Sequence, residues 1–337
     1  MTKDELDSLL AQMRNPNKRN WILMVPNSLG ETVTVCGFAK SFLETHGFGI
    51  TLVIPQSHAL IAQCYPDTFD RVVYLPLVVM RQFTENGYIP QNFFAIDFPY
   101  NTWPMQNGDG RIFDTYKLWI ESVGAAGLSY LNLYRYILRL KWNAEFVKPA
   151  IPLFLKEKSN NFCKINKINK KTVLLFVGNN TAKPASIALW RKIALYYQQQ
   201  GMDVVINKFG SMLLPDDLEI PKTRFVDIPL DVALSVCEQA ESFVSGSNGF
   251  AFFALAANID CNMHFLMSNA ICYDYTKILY KSINYLEGCH QLTIPEITSK
   301  TNKLKEWIVP EVMDDVALNE IAYGIAYNSA NNFTIVN

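Results

Sequence analysis

The sequence predicts an α/β protein of two doubly wound, Rossmann-like domains facing each other across a cleft. Three observations carry that expectation. Short apolar runs alternate with segments of helical spacing in both halves of the chain. The first such unit, residues 21–55 (WILMVPNSLGETVTVCGFAKSFLETHGFGITLVIP), reads as strand, tight turn, helix and second strand, the start of a parallel sheet. Between the halves lies a basic, polar stretch poor in core residues, 156–171 (KEKSNNFCKINKINKK), which reads as a linker. The expected division is a first domain over 1–155, a linker over 156–171, a second domain over 172–312, and a C-terminal helix in 313–337 that packs back on the first domain.

In order, the chain opens with an amphipathic helix over 3–14 and a polar segment over 15–20. Strands follow at 22–25 and 50–54 around a helix at 32–45, then a short helix at 57–65 and strands at 71–75 and 92–97. Residues 98–111 (FPYNTWPMQNGDGR) gather Pro, Asn and Gly and read as a loop forming a mobile wall of the cleft. Residues 112–147 read as mostly helical, with Tyr130, Leu133, Tyr134, Ile137 and Leu138 as a core stripe beside solvated Arg135, Arg139 and Lys141. Beyond the linker, strands are expected at 173–177, 203–209, 224–228, 243–245 and 262–267, with helices at 185–200, 230–240 and 249–257. The tail carries helical segments at 273–285 and 314–329.

Composition narrows the function. The 337 residues are half hydrophobic, enough for two cores, and the net charge of −1 argues against nucleic acid as a partner. The amino-terminal MTKDELDSLLAQM lacks an apolar core, and no later run reaches the length of a membrane span. A cytoplasmic protein is therefore expected, with the basic 156–171 stretch leaving peripheral contact at the inner face of the membrane open. The seven cysteines are scattered without a Cys-x-x-Cys pair and read as reduced core thiols.

Chemistry is expected in the turns at the carboxyl ends of strands, where open α/β sheets bind ligands. In the first domain the turn Pro26-Asn27-Ser28-Leu29-Gly30 leads into a helix. Gly30 permits close approach of the backbone or a positive φ, and Glu31 stands at the helix mouth. Glu31 is either a helix-start acid favoured by the macrodipole or a cleft carboxylate able to take a proton from a substrate hydroxyl. Asp97 closes NFFAID at a second strand end. In the second domain, Gly178-Asn179-Asn180-Thr181-Ala182-Lys183 supplies free N–H groups, a helix amino terminus and a point cation, as a diphosphate requires. Ser245-Gly246-Ser247-Asn248-Gly249-Phe250 lies in a like position, where Ser247 or Asn248 equally suits a plain helix cap.

Those residues carry a resemblance. NSLGETVTVCGFAKSFLETHG with ITLVIP, YPDTFDRVVYLP and FFAID resembles the amino-terminal domain of the heptosyltransferase-like glycosyltransferases, glycosyltransferase family nine. VLLFVGNNTAKPASIALWRKIALYYQQQGMDVVI and IPLDVALSVCEQAESFVSGSNGFAFFALAANI are similar to that family's donor domain, so the likeness spans about 21–97 and 172–267. It implies a GT-B fold and an inverting enzyme of cell-surface polysaccharide or lipopolysaccharide synthesis. A nucleotide-diphosphate sugar would be held by the second domain and a glycan or glycolipid acceptor by the first. No metal and no separate cofactor is implied, in keeping with the lack of an Asp-x-Asp triplet. Glu31 takes the place of the family's catalytic aspartate, with Gly30 and Asp97 on the acceptor side. Gly178, Asn180, Thr181, Lys183, Ser247, Asn248 and Gly249 fall in the donor site, with Lys183 matching the lysine near the diphosphate. The chain departs from the family where Ser247-Asn248-Gly249 replaces an Asp-Thr/Ser-Gly turn and Phe252 replaces a histidine. A different nucleotide sugar, or a non-catalytic GT-B homologue acting as a binding or scaffolding protein, remains open on that account. A nicotinamide-dependent oxidoreductase is the third reading, disfavoured because no Gly-x-Gly-x-x-Gly turn follows a candidate strand.

Overall fold

The computed structural model describes residues 1–26, 28–85, 88, 90–97, 105–107, 110–114, 130–178, 184–208, 218–246, 248–257, 259–268, 304–309 and 312–327. The chain divides into two compact units, Met1–Ala150 and Ile151–Asn337.

The first unit opens with α1 (Lys3–Met13), started by a capping box between Thr2 and Glu5. It buries Leu6, Leu10 and Met13 in one cluster with Met80, Phe83 and Phe93. Then come β1 (Asn20–Met24), α2 (Leu29–His46), β2 (Gly49–Ile54), α3 (Ala59–Gln63), β3 (Arg71–Tyr74), α4 (Leu77–Glu85), β4 (Phe93–Asp97), β5 (Met105–Asn107), β6 (Gly110–Asp114) and α5 (Tyr130–Ile137). The strands align as β3-β2-β1-β4-β6-β5. All pairs are parallel except β5 with β6. β1 is buried at every position, which is why it reads as an unbroken apolar run rather than an alternation. Gly47, at φ 65°, ends α2 in a conformation that favours glycine.

Two expectations for this unit change. Met105–Asn107 and the start of Gly110–Asp114 are not loop: β5 and β6 pair antiparallel, and β6 adds to the sheet beside β4, while 108 and 109 lie outside the described residues. Residues 98–104 lie outside the described residues. Of the helix expected across 112–147, only Tyr130–Ile137 is helical among the described residues, 112–114 belong to β6, and 138–147 run in turns and irregular chain.

The second unit contains α6 (Leu153–Ile165), β7 (Thr172–Phe176), α7 (Ile187–Gln199), β8 (Asp203–Asn207), β9 (Arg224–Phe225), α8 (Leu230–Gln239), β10 (Ser242–Gly246), α9 (Gly249–Ala257), β11 (Asn262–Ser268), β12 (Leu304–Val309) and α10 (Asp315–Tyr327). Its sheet runs β12-β11-β10-β7-β8-β9, with every pair parallel. The stretch expected as a linker is largely α6, which buries Leu155, Ser159 and Cys163 and packs on α8. Those three positions, four apart, form one helical face that the intervening lysines conceal in the sequence. β12 is an edge strand not expected from the sequence, and the helix expected at 273–285 lies outside the described residues. The terminal helix α10, expected to return to the first domain, packs on α7. Leu318, Ala322, Ile325 and Ala326 share a core with Trp190, Ile193 and Tyr197. Tyr197 Oη donates to the Ile325 carbonyl at 3.1 Å, and Lys192 Nζ to Asn319 Oδ1 at 2.9 Å.

Candidate functional site

Each sheet has a point where the chain, having built outward on one side of its first strand, crosses to the other. In the first unit this lies between β1 and β4, and in the second between β7 and β10. The carboxyl ends of those strand pairs are where a doubly wound sheet opens a crevice.

At the first switch point, Ser28 and Glu31 start α2 with a capping box. Ser28 Oγ accepts from the Glu31 N–H at 3.2 Å, and Glu31 Oε2 accepts from the Ser28 N–H at 3.3 Å. Glu31 Oε1 accepts from Tyr134 Oη at 3.0 Å. Glu31 is only 7% exposed and Tyr134 1%. The helix-start role of Glu31 is thus present in the geometry, and the carboxylate is also clamped by a residue the sequence offered only as core. Gly30 lies buried in the first turn of α2, where its carbonyl accepts from Thr34 Oγ1 at 2.8 Å, so it takes no positive φ. Asp97 ends β4, in register with Asp114 of β6.

Beside Glu31 in sequence, Thr32 Oγ1 meets His58 Nδ1 at 2.8 Å. His58 follows the carboxyl end of β2, and burial lowers its pKa to about 4, so the ring is neutral at pH 7. The sequence reading passed over His58; its place just after Pro55, beyond a strand end, was the available signal.

At the second switch point Asn248 bridges the two turns. Its Nδ2 donates to the Gly178 carbonyl at 3.0 Å and to Ser245 Oγ at 3.3 Å. Its Oδ1 accepts from the Ala251 N–H at 2.9 Å, capping α9, whose first residue is Gly249. Both ends of the Asn248 amide are therefore engaged within the protein. Phe250 stacks on Phe176 with centroids 4.9 Å apart, securing the start of α9 against β7. On the far side of the other turn, Ser186 Oγ caps α7 by accepting from the Leu189 N–H at 3.3 Å. Asn180, Thr181, Lys183 and Ser247 lie outside the described residues.

No protein-family model and no curated protein sequence matches the chain. Solved structures do. The ADP-heptose LPS heptosyltransferase II of Escherichia coli matches 91% of this chain and 99% of its own, at 10% identity and a TM-score of 0.51. A family 9 glycosyl transferase of Veillonella parvula matches 94% of this chain and 99% of its own, at 9% identity and a TM-score of 0.53. The chain has the GT-B fold of the heptosyltransferase-like glycosyltransferases.

Within this GT-B chain Phe252, which stands where the family carries a histidine, is buried in α9 and packs as core. The five described cysteines are free and buried. Burial raises the Cys36 thiol and moves Cys64 to about 12, so both stay protonated at neutral pH. Among the described residues, no group of three His, Cys, Asp or Glu side chains could hold a metal ion, and no helix is long and apolar enough to cross a membrane.

Proposed function

We propose that this GT-B protein is an inverting glycosyltransferase that moves a sugar from a nucleoside-diphosphate sugar to a glycan or glycolipid acceptor. Cell-surface polysaccharide or lipopolysaccharide synthesis in bacteria is the setting. The observation that carries this reading is the fold, shared with two glycosyltransferases over at least 91% of this chain and 99% of each of theirs. The acceptor hydroxyl attacks the anomeric carbon as the bond from that carbon to the diphosphate oxygen breaks, and the configuration inverts. Its proton passes to Glu31. Charge gathering on the leaving diphosphate is met by Lys183, by Asn180 and Thr181, and by backbone N–H groups at Asn248 and Gly249, the electrostatic work that usually dominates such transfers. With a lysine and two helix amino termini in that role, transfer proceeds without a metal and is unaffected by EDTA. The Escherichia coli neighbour is named for ADP-heptose, which supports an ADP-linked donor as the first to test.

The test is a thermal-shift panel of ADP, UDP, GDP, CMP and NAD. A ligand at a hundred times its dissociation constant stabilises the fold by about 2.7 kcal/mol. A shift with one nucleoside diphosphate is expected, and a shift with NAD alone would overturn the reading. The second reading, a non-catalytic GT-B protein, is favoured by the burial of Glu31 and its use as a helix cap. Silence across the whole panel would favour it over the enzyme.

A further inference from the structure

The Glu31 carboxylate is held at both oxygens by groups of different origin. Oε2 accepts from the Ser28 N–H at 3.3 Å, a bond internal to the first turn of α2. Oε1 accepts from Tyr134 Oη at 3.0 Å, a bond from α5 across 103 positions of sequence. The capping box needs only the first. The second depends on α5 packing against α2, a contact also made by the Arg135 guanidinium over the Phe38 ring at 5.2 Å. A carboxylate anchored at one oxygen can swing about its last bond. Anchored at both, its plane is set.

We propose that Tyr134 is the positioning residue for Glu31, fixing the plane of the carboxylate and holding it ionised for the acceptor proton. This rests on the reading of Glu31 as the base. Tyr134 acts through Glu31, by donating a hydrogen bond that favours the charged form of the carboxyl group. Other ionisable groups stand on elements packed around α2. His58 is kept neutral by burial and is engaged with Thr32. Tyr65, Cys36 and Cys64 are pushed up by burial and are uncharged at neutral pH. Arg135 is bound to Asn132 Oδ1 and the Ala144 carbonyl, while Asp97 stands at the end of β4. Tyr134 is buried, so its ring is fixed by packing and a phenyl ring in its place keeps the fold.

The test is a carbon-13 titration of the glutamate side-chain carboxyl groups in the full-length protein, with the Glu31 signal assigned by its loss in E31Q. Y134F is compared with Y65F. Tyr65 donates to the Val33 carbonyl of the same helix at 3.3 Å, so Y65F removes a buried hydroxyl bond on α2 without touching Glu31. The expected result is a Glu31 pKa raised by about one unit in Y134F and unmoved in Y65F. An unmoved titration in Y134F, or an equal shift in both variants, overturns the assignment. The failures are separable: the titration judges Tyr134 without any turnover, whereas full transfer activity in E31Q overturns the base and, with it, the role given to Tyr134.

Discussion

Asn248 Nδ2 donates to the Gly178 carbonyl at 3.0 Å, tying the turn after β10 to the turn after β7 at the second switch point. The opposite end of the same amide caps α9 through the Ala251 N–H at 2.9 Å. An aspartate at 248 keeps the cap, since a carboxylate serves as well there. It loses the donor and sets a negative charge against a carbonyl oxygen. N248D is therefore expected to lower stability by about 1–3 kcal/mol, as for a partly buried group left facing the wrong partner. On the proposed function it should also weaken nucleotide binding, because the two turns are no longer held together and a negative charge is added near the proposed diphosphate site. Urea denaturation and the ADP thermal shift measure the two effects, and an unchanged midpoint would show that the bridge contributes nothing.

Glu31 separates fold from chemistry in a pair of variants. In E31Q the amide oxygen still accepts a hydrogen bond, and the Tyr134 hydroxyl can turn from donor to acceptor. The capping box tolerates Gln at this position, so stability should change by less than about 1 kcal/mol. Turnover should fall by about 100-fold or more, the usual contribution of a positioned base. E31A removes the Glu31 half of the capping box and the acceptor of the Tyr134 bond, which should cost about 1–3 kcal/mol. Urea denaturation and a transfer assay on the donor found by the thermal-shift panel check both. Full transfer by E31Q would remove Glu31 from the chemistry.

His58 makes stability depend on pH. Its pKa falls from 6.5 to about 4 on folding because burial penalises the charged ring. The unfolded chain then binds the proton first, so its contribution is fully present above pH 6.5 and is lost as the pH falls through about 4. The shift corresponds to a loss of roughly 3 kcal/mol across that window. H58Q, which cannot titrate, should flatten the stability curve between those pH values relative to the native chain. Equal slopes for the two proteins would show that His58 is not the group responsible.

The central strands were legible because buried parallel strands announce themselves as unbroken apolar runs, as in WILMV and TVLLFV. α6 was not, since a face made of Leu155, Ser159 and Cys163 is only weakly apolar and the lysines between them dominate the reading. β12 escaped for a related reason: Lys305 and Glu306 break the run at its start. In the sites, local bonds could be read from spacing. Ser28 with Glu31 three residues on is a capping box, and Asn248 before Gly249 is a cap. Bonds that depend on which strands become neighbours could not be read. Tyr134 reaches Glu31 only because α5 packs on α2, and Asn248 reaches Gly178 only because β10 pairs with β7.

Gly37, in the middle of α2, sets two effects against each other. Alanine is favoured over glycine inside a helix by about 1 kcal/mol, so G37A would stabilise an exposed helix. Here a Cβ would lie 2.3 Å from Phe146 Cε2, well inside contact distance. The Phe146 ring packs edge-on against Phe38 at 5.3 Å, and the Val147 N–H donates to the Gly37 carbonyl at 2.8 Å. The segment is thus pinned to the helix at the point where it would have to retreat, and the ring must turn out of its packing instead. Overpacking of that kind typically costs about 1–3 kcal/mol, which exceeds the helix term. G37A should therefore be destabilising by about 1 kcal/mol in urea denaturation, and G37A/F146A, with the ring removed, should recover the helix gain relative to F146A alone. A stabilised G37A single variant would mean that the 145–147 segment yields without cost.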